Sequence, residues 1–262
     1  MAFTLGPRAI SAGYRLASFD QIGSTNSEAL ARVNAGERGP MWFVTTEQTA
    51  GRGRRQRPWI APRGNLAASV LETIDVTPAT AATLGFVAGL ALAAALQAVA
   101  LPTAIEFALK WPNDVLAGQA KLTGILLEAE AAPGGGLAMV VGMGTNVVAA
   151  PEGTPVPATS LRALGLDISA EMLFTALSDS WDEYRCIWGE GRGFGEIRRR
   201  WLGLAAGLGQ PVSVHTGQAI VSGIFDTIDN TGCMIVRTST GDTVPISAGD
   251  VHFGLAASAR AG

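Results

Sequence analysis

The chain has 262 residues, 48% of them apolar, and a formal net charge of −3. That is long enough for one substantial domain and a small second one, and the mild acidity argues against broad attraction to a polyanion. Two cysteines, Cys186 and Cys233, without C-x-x-C spacing argue against a disulfide framework or a cysteine zinc site, and two late histidines, His215 and His252, with no G-x-S-x-G pattern argue against histidine-based hydrolysis.

Residues 1–23 show little beyond an expected strand over 14–19. They hold no secretory signal pattern and are too few to form a DNA-binding domain of their own. In IGSTNSEALARV, Thr25 and Glu28 stand at capping-box spacing before a helix expected to reach about Val33. Ser24, Thr25 and Asn26 read either as a helix start alone or as hydroxyls, an amide and free N–H groups offered to a small polar ligand head.

A β run over 42–46 leads into TTEQTAGRGRRQRPWIAPRGNL, where Gly51 and Gly53 alternate with Arg52, Arg54 and Arg55. Glycine allows close backbone approach and guanidinium supplies forked donors, so the stretch has the composition of an anion-gripping loop. Solvated surface and a nucleic-acid patch are the alternatives. Trp59 reads as core or as a ring that closes over a purine. A turn over 62–65 and a strand over 66–71 come next.

Residues 79–101 are apolar enough to alert a membrane scan, but they are alanine-dominated and interrupted by Thr80, Thr83 and Gln97. They are expected to form a helix buried against a sheet. In IEFALKWPNDVLAGQAKLTGILLEAE, strands over 106–110, 115–116 and 121–130 would gather Lys110, Asn113, Asp114 and Lys121 around a hairpin mouth. Asn113 and Asp114 also fit ordinary turn chemistry. Lys110 and Lys121 are the only lysines among 19 basic residues, which singles them out, because a compact ammonium serves uses a guanidinium cannot. MVVGMGTNVV reads as a strand whose Gly142 and Gly144 imply that something packs on its backbone. Helices are expected over 169–188 and 194–204, with Trp181, Tyr184, Trp188 and Trp201 packed inward. From Gly209, five short β-rich runs separated by turn signals indicate a small barrel of about 50 residues.

Together STNSEA, TTEQTAGRGRRQRPW, PRGNLAASV, KWPNDV, KLTGILLE, GMGTNV and the terminal β unit resemble the bacterial biotin–protein ligases, in that family's order over about residues 20 to 255. The resemblance implies an α+β fold: a central mixed sheet flanked by helices, of the class II synthetase-like kind, over residues 1–207, with an SH3-like barrel over 208–262. It also implies a reaction in two steps, from biotin and MgATP to biotinyl-5′-adenylate and then to a lysine of a biotin carboxyl carrier domain. By the same resemblance Arg52 and Lys121 lie at the carboxylate and α-phosphate, and Arg54 and Arg55 brace phosphates. Ser24, Thr25, Asn26 and Gln48 meet the biotin rings, Gly51, Gly53 and Gly124 admit close backbone approach, and Trp59, Asn113 and Asn146 lie on the nucleotide side. No metal ligand is singled out, because magnesium prefers phosphate oxygens and water to a dedicated cage. Asp114 is expected to orient and help deprotonate the acceptor amine.

The family's loop usually has a third glycine where Gln56 stands, which implies altered closure or weaker adenylate retention with activity kept. A lipoate or octanoyl transferase on a related fold is the nearest rival, and the R-G-R-R and KWPND stretches argue against it. A biotin-responsive DNA-binding regulator is disfavoured for want of a preceding domain. A cytoplasmic location is expected, with no DNA or membrane partner; monomer and homodimer both remain open.

Overall fold

Short, largely apolar runs become the strands of a seven-stranded sheet, seen in a computed structural model that describes residues 2–102, 104–154, 156–217 and 219–253. The strands are β1 (Arg15–Phe19), β2 (Met41–Thr45), β3 (Leu66–Ile74), β4 (Phe107–Lys110), β5 (Asp114–Ala117), β6 (Ala120–Ala131) and β7 (Leu137–Thr145), in spatial order β1-β2-β3-β7-β6-β5-β4. Only β1 and β2 pair in parallel; every other neighbour in this sheet is antiparallel, so the sheet is mixed.

Helices cover both faces. On one lies α2 (Thr25–Asn34), whose Ala29 and Val33 pack with Phe43, Leu71 and Val140. On the other lie α4 (Leu84–Val99) and α5 (Ala170–Trp188), with α6 (Phe194–Gly203) beside them. In α4, Leu84, Val87, Leu90, Leu92 and Leu96 are all at most 1% exposed, and each such burial contributes about 1.5–3 kcal/mol. The run Pro78–Val99 is apolar and long enough to cross a membrane, yet 78% of its apolar window is buried inside the fold. Where one helix was expected over 79–101, there are two, α3 (Pro78–Ala82) and α4, meeting at Thr83. The Thr83 hydroxyl donates to Thr80 O at 2.6 Å and accepts from Trp188 Nε1 at 2.7 Å, satisfying the break from both sides.

Polar groups under α5 are also paired. Glu72 on β3 accepts from Tyr14 Oη at 2.5 Å, Trp181 Nε1 at 2.8 Å and Arg185 Nε at 2.6 Å, which offsets the cost of a 7%-exposed carboxylate. Trp181, Trp188 and Trp201 are buried as expected, with Tyr184 partly so.

Several local expectations are corrected. A short helix, α1 (Pro7–Ser11), occupies the segment thought patternless. The N-cap of α2 is Ser24, which accepts from Ser27 N, and not Thr25; Glu28 pairs with Arg32 at 2.7 Å instead of reaching back. Thr25 is diverted because its backbone N and hydroxyl both donate to Gln48 Oε1.

The five runs after Gly209 form a second, antiparallel sheet ordered β11-β10-β9-β8-β12, consistent with an SH3-like unit. Its strands are β8 (Pro211–His215), β9 (Ile220–Ile228), β10 (Met234–Arg237), β11 (Thr243–Ile246) and β12 (Asp250–Phe253). This unit is fixed beside β4: Leu109 N donates to Leu204 O and Ala206 N to Leu109 O, both at 2.8 Å, and Trp111 Nε1 donates to Gly232 O at 3.1 Å. The end of β12 is thereby set against the hairpin that carries the two lysines.

Candidate active site

Ser24, Thr25 and Asn26 open α2 directly over the middle of the sheet, each no more than 6% exposed. Asn26 Oδ1 accepts from Ser69 Oγ at 2.6 Å and its Nδ2 donates to Glu128 Oε2 at 2.8 Å, so the orientation of the amide is fixed from two strands. A Cβ at Gly142 would collide with Asn26 Oδ1, and one at Gly144 would lie 2.5 Å from Trp59 Nε1. A Cβ at Gly124 would meet Trp59 Cζ3 at 3.1 Å. Glycines within β6 and β7 thus form a shelf on which α2 and the indole rest, which explains the glycine-broken strand.

The arginine loop crosses this shelf. Arg52 Nη2 donates to Ser27 Oγ at 3.2 Å and to Glu128 Oε2 at 3.1 Å, while Arg54 Nη1 donates to Asn113 Oδ1 at 2.9 Å. Burial pushes the Arg54 guanidinium below its ordinary value, with Arg55 and Arg57 adding repulsion and Asp250 opposing. Arg55 and Arg57 both reach Asp250 Oδ2 on β12, each at 2.8 Å. Burial works against ionisation of Asp250, but the hydrogen bond from Arg57 and the nearby guanidinium charges hold it below the usual carboxylate value. Gly51 is required by the loop itself, since a Cβ there would strike Trp59 O. Arg55 and Gln56 sit at φ of 55° and 58°, a region that costs an L-residue energy.

The β4–β5–β6 hairpins supply the ammonium groups. Lys121 Nζ lies 2.7 Å from Asp114 Oδ1 and 5.5 Å from the centre of a Trp59 ring. Lys110 is 8% exposed, and burial pushes its amine below the ordinary lysine value, with Asp114 opposing and Lys121 adding to the shift.

These groups surround one cavity of about 630 Å³. Ser24, Thr25, Asn26, Gln48, Arg52, Gly53, Arg54, Trp59, Asn113, Asp114, Lys121, Gly124 and Asn146, all expected from the sequence, line it; Gly51 and Arg55 do not. Among the described residues, Arg52 Nε, Trp59 Nε1 and Asn146 Oδ1 are buried with no partner. Such orphans are uncommon in proteins, and these three belong to residues of one cavity wall, whereas Trp42 Nε1, Glu190 Oε2 and Arg198 Nε are orphaned away from it. A large, mostly apolar hollow bearing the cationic side chains of Arg52, Arg54, Arg57, Lys110 and Lys121 suits an apolar acid together with a polyanion. No group of three or more His, Cys, Asp or Glu that could hold a metal occurs among the described residues.

Sequence reasoning missed three neighbours of the site. Glu128 looked like one polar residue on a half-buried strand. Asp250 and His252 come from β12, and both line the cavity despite lying far along the chain. His252 is kept below its ordinary value by burial, then by His215, whose ring is 4.7 Å away, and by Lys110. A histidine late in the chain is thus brought to the cavity by the fold.

Residues 19–146 match the biotin/lipoate A/B protein ligase family, and residues 207–254 match the biotin protein ligase C-terminal domain. The chain is 39% identical over 237 residues to a biotin–[acetyl-CoA-carboxylase] ligase of Paracoccus denitrificans, covering 88% of this chain and 97% of that one. It is 38% identical over 236 residues to the Mycobacterium tuberculosis enzyme of the same name, covering 88% and 86%. The fold matches a biotin protein ligase from Aquifex aeolicus in complex with biotin and ATP, with a TM-score of 0.77 at 24% identity over 92% of this chain and 99% of that one.

Proposed function

This chain belongs to the biotin–protein ligase family, and from that premise we propose that its cavity joins biotin to AMP and then passes the biotinyl group to a lysine of a carboxylase's biotin carrier domain. It is an ATP-dependent biotin ligase. One observation carries the reading: the arginine loop, both lysines and the polar start of α2 converge on a single hollow.

Biotin's carboxylate must approach the α-phosphorus of ATP, and both are anions. Cations already fixed around the contact point lower that repulsion and meet the charge that develops as pyrophosphate leaves. Arg52 and Lys121 are assigned to the carboxylate and α-phosphate, and Arg54 to the phosphate chain. Arg55 does not line the cavity and braces the loop through Asp250 instead. Ser24, Thr25, Asn26 and Gln48 are assigned to the biotin rings, where Gln48 Nε2 is free to donate once its Oε1 is held by Thr25. Trp59, Asn113 and Asn146 are assigned to the nucleotide, with the shelf of Gly124 and Gly144 setting the plane of the indole.

In the second step an acceptor amine attacks the acyl carbon and AMP departs. Asp114 is assigned to orient and deprotonate that amine, and its contact with Lys121 holds the carboxylate in place beforehand. Residues 1–207 are assigned the chemistry and 208–262 the barrel, whose Asp250 reaches the loop. The setting is a reducing cytoplasm, consistent with two unpaired cysteines.

The deciding experiment is biotin-dependent exchange of pyrophosphate into ATP, with lipoate as the control acid. Exchange with biotin and none with lipoate is expected; exchange with lipoate alone would overturn the assignment in favour of the rival acyl transfer.

A further inference from the structure

Glu128 lies on β6 and does not line the cavity, yet its two partners both do. Its Oε2 accepts from Asn26 Nδ2 at 2.8 Å and from Arg52 Nη2 at 3.1 Å. These donors come from different elements, the first turn of α2 and the arginine loop. Ser27 Oγ, 3.2 Å from the same Arg52 nitrogen, completes the grip. The carboxylate is only partly shielded, with 23% of its side chain exposed against 32% for Arg52.

The geometry has a directional consequence. Arg52 is held by one terminal nitrogen, Nη2, and its Nε–H remains buried without a partner on a residue of the cavity wall. Nη2 and Nε–H share one edge of the guanidinium, so the contacts at Nη2 set the direction in which the unpartnered Nε–H points. The same oxygen fixes the Asn26 amide, whose other end is already taken by Ser69. From this we infer that Glu128 is a positioning residue that couples the loop to the ring-binding end of the pocket, so that the loop's first arginine is set only while the α2 polar group is set. It touches no reacting atom and acts through Arg52 and Asn26. The inference rests on the proposed ligase activity.

Loss of this tie should be felt mainly as escape of the acyl-adenylate, because the loop spans the cavity and Glu128 anchors its first arginine to the sheet. The test compares wild type, Glu128→Ala and Glu128→Gln in pyrophosphate exchange and in release of preformed adenylate, and repeats Glu128→Ala on an Arg52→Ala background. Glu128→Ala is expected to speed release about tenfold and raise the KM for biotin several-fold with a smaller change in kcat, as befits one charge-assisted contact. Glu128→Gln, which keeps an acceptor oxygen, is expected to recover more than half of the loss on a logarithmic scale. On the Arg52→Ala background the substitution is expected to change release less than about twofold. An unchanged release rate in Glu128→Ala, or the full effect persisting without Arg52, would overturn the inference. If Glu128→Ala does not fold, Glu128→Gln with and without Arg52 gives the same cycle. Failure of wild-type exchange with biotin would instead sink the activity, which keeps the two outcomes separate.

Discussion

Gln56→Gly tests how the loop is balanced. Gln56 is exposed, its side chain bonds to nothing among the described residues, and its backbone sits at φ 58° beside Arg55 at 55°. Left-handed backbone costs an L-residue about 1–2 kcal/mol, and glycine removes most of that cost. Glycine also frees the loop when it is open, which works the other way by about 0.4–1 kcal/mol. The difference favours the ordered loop by about 0.5–1 kcal/mol, or roughly two- to fivefold in the open–closed ratio. Stopped-flow release of biotinyl-adenylate is therefore expected to be about two- to fivefold slower in Gln56→Gly than in wild type, since opening must precede escape. Gln56→Ala, which keeps the strain, should release at the wild-type rate, and biotin-dependent pyrophosphate exchange should persist in both. Equal release from wild type and Gln56→Gly would refute the claim that this position limits closure.

Three further outcomes are expected from the same geometry. Asp114→Asn should slow biotin transfer from preformed adenylate by about 10²-fold while pyrophosphate exchange stays within about threefold; the reverse pattern would remove Asp114 from the transfer step. Gly144→Ala places a methyl 2.5 Å from Trp59 Nε1, so the indole must shift; a raised KM for ATP of about tenfold, with a red-shifted tryptophan emission, is expected from overpacking of this kind. Asp250 titrates below its ordinary value of 3.8 because of its arginine partners, so its contribution is complete above the unfolded value and disappears as pH falls through the lower folded one. Acid titration of wild type followed by tryptophan fluorescence should show a loop transition below pH 3.8 that Asp250→Asn lacks, that variant already having the looser loop at neutral pH.

What the sequence disclosed was whatever has a local cause. Continuous apolar runs marked β2, β3 and β7 because both faces of each are buried, and the glycines of β7 betrayed the side chains lying on them. The lysine-bearing hairpin was legible because Pro112, Asn113 and Gly118 are turn residues. Local reasoning failed where a distant atom decides. Thr25 fits a capping pattern, but the amide of Gln48 claims it. The expected single helix over 79–101 breaks at Thr83, whose hydroxyl is held by Trp188, 105 residues later, a partner that no local pattern discloses. Asp250 is 195 residues from Arg55, and Glu128 is one carboxylate on a strand, so neither has a local mark that separates it from a solvated charge.

The placement of the two lysines gives this protein an unusual chemical skin. Lys110 is 8% exposed and Lys121 is engaged by Asp114 within the cavity, while the rest of the basic surface is guanidinium, which stays protonated and non-nucleophilic at working pH. An enzyme that makes a reactive mixed anhydride thus keeps its own exterior almost free of acceptors for it. Apart from the α-amino group, the nearest primary amine outside the pocket is the one a partner protein brings.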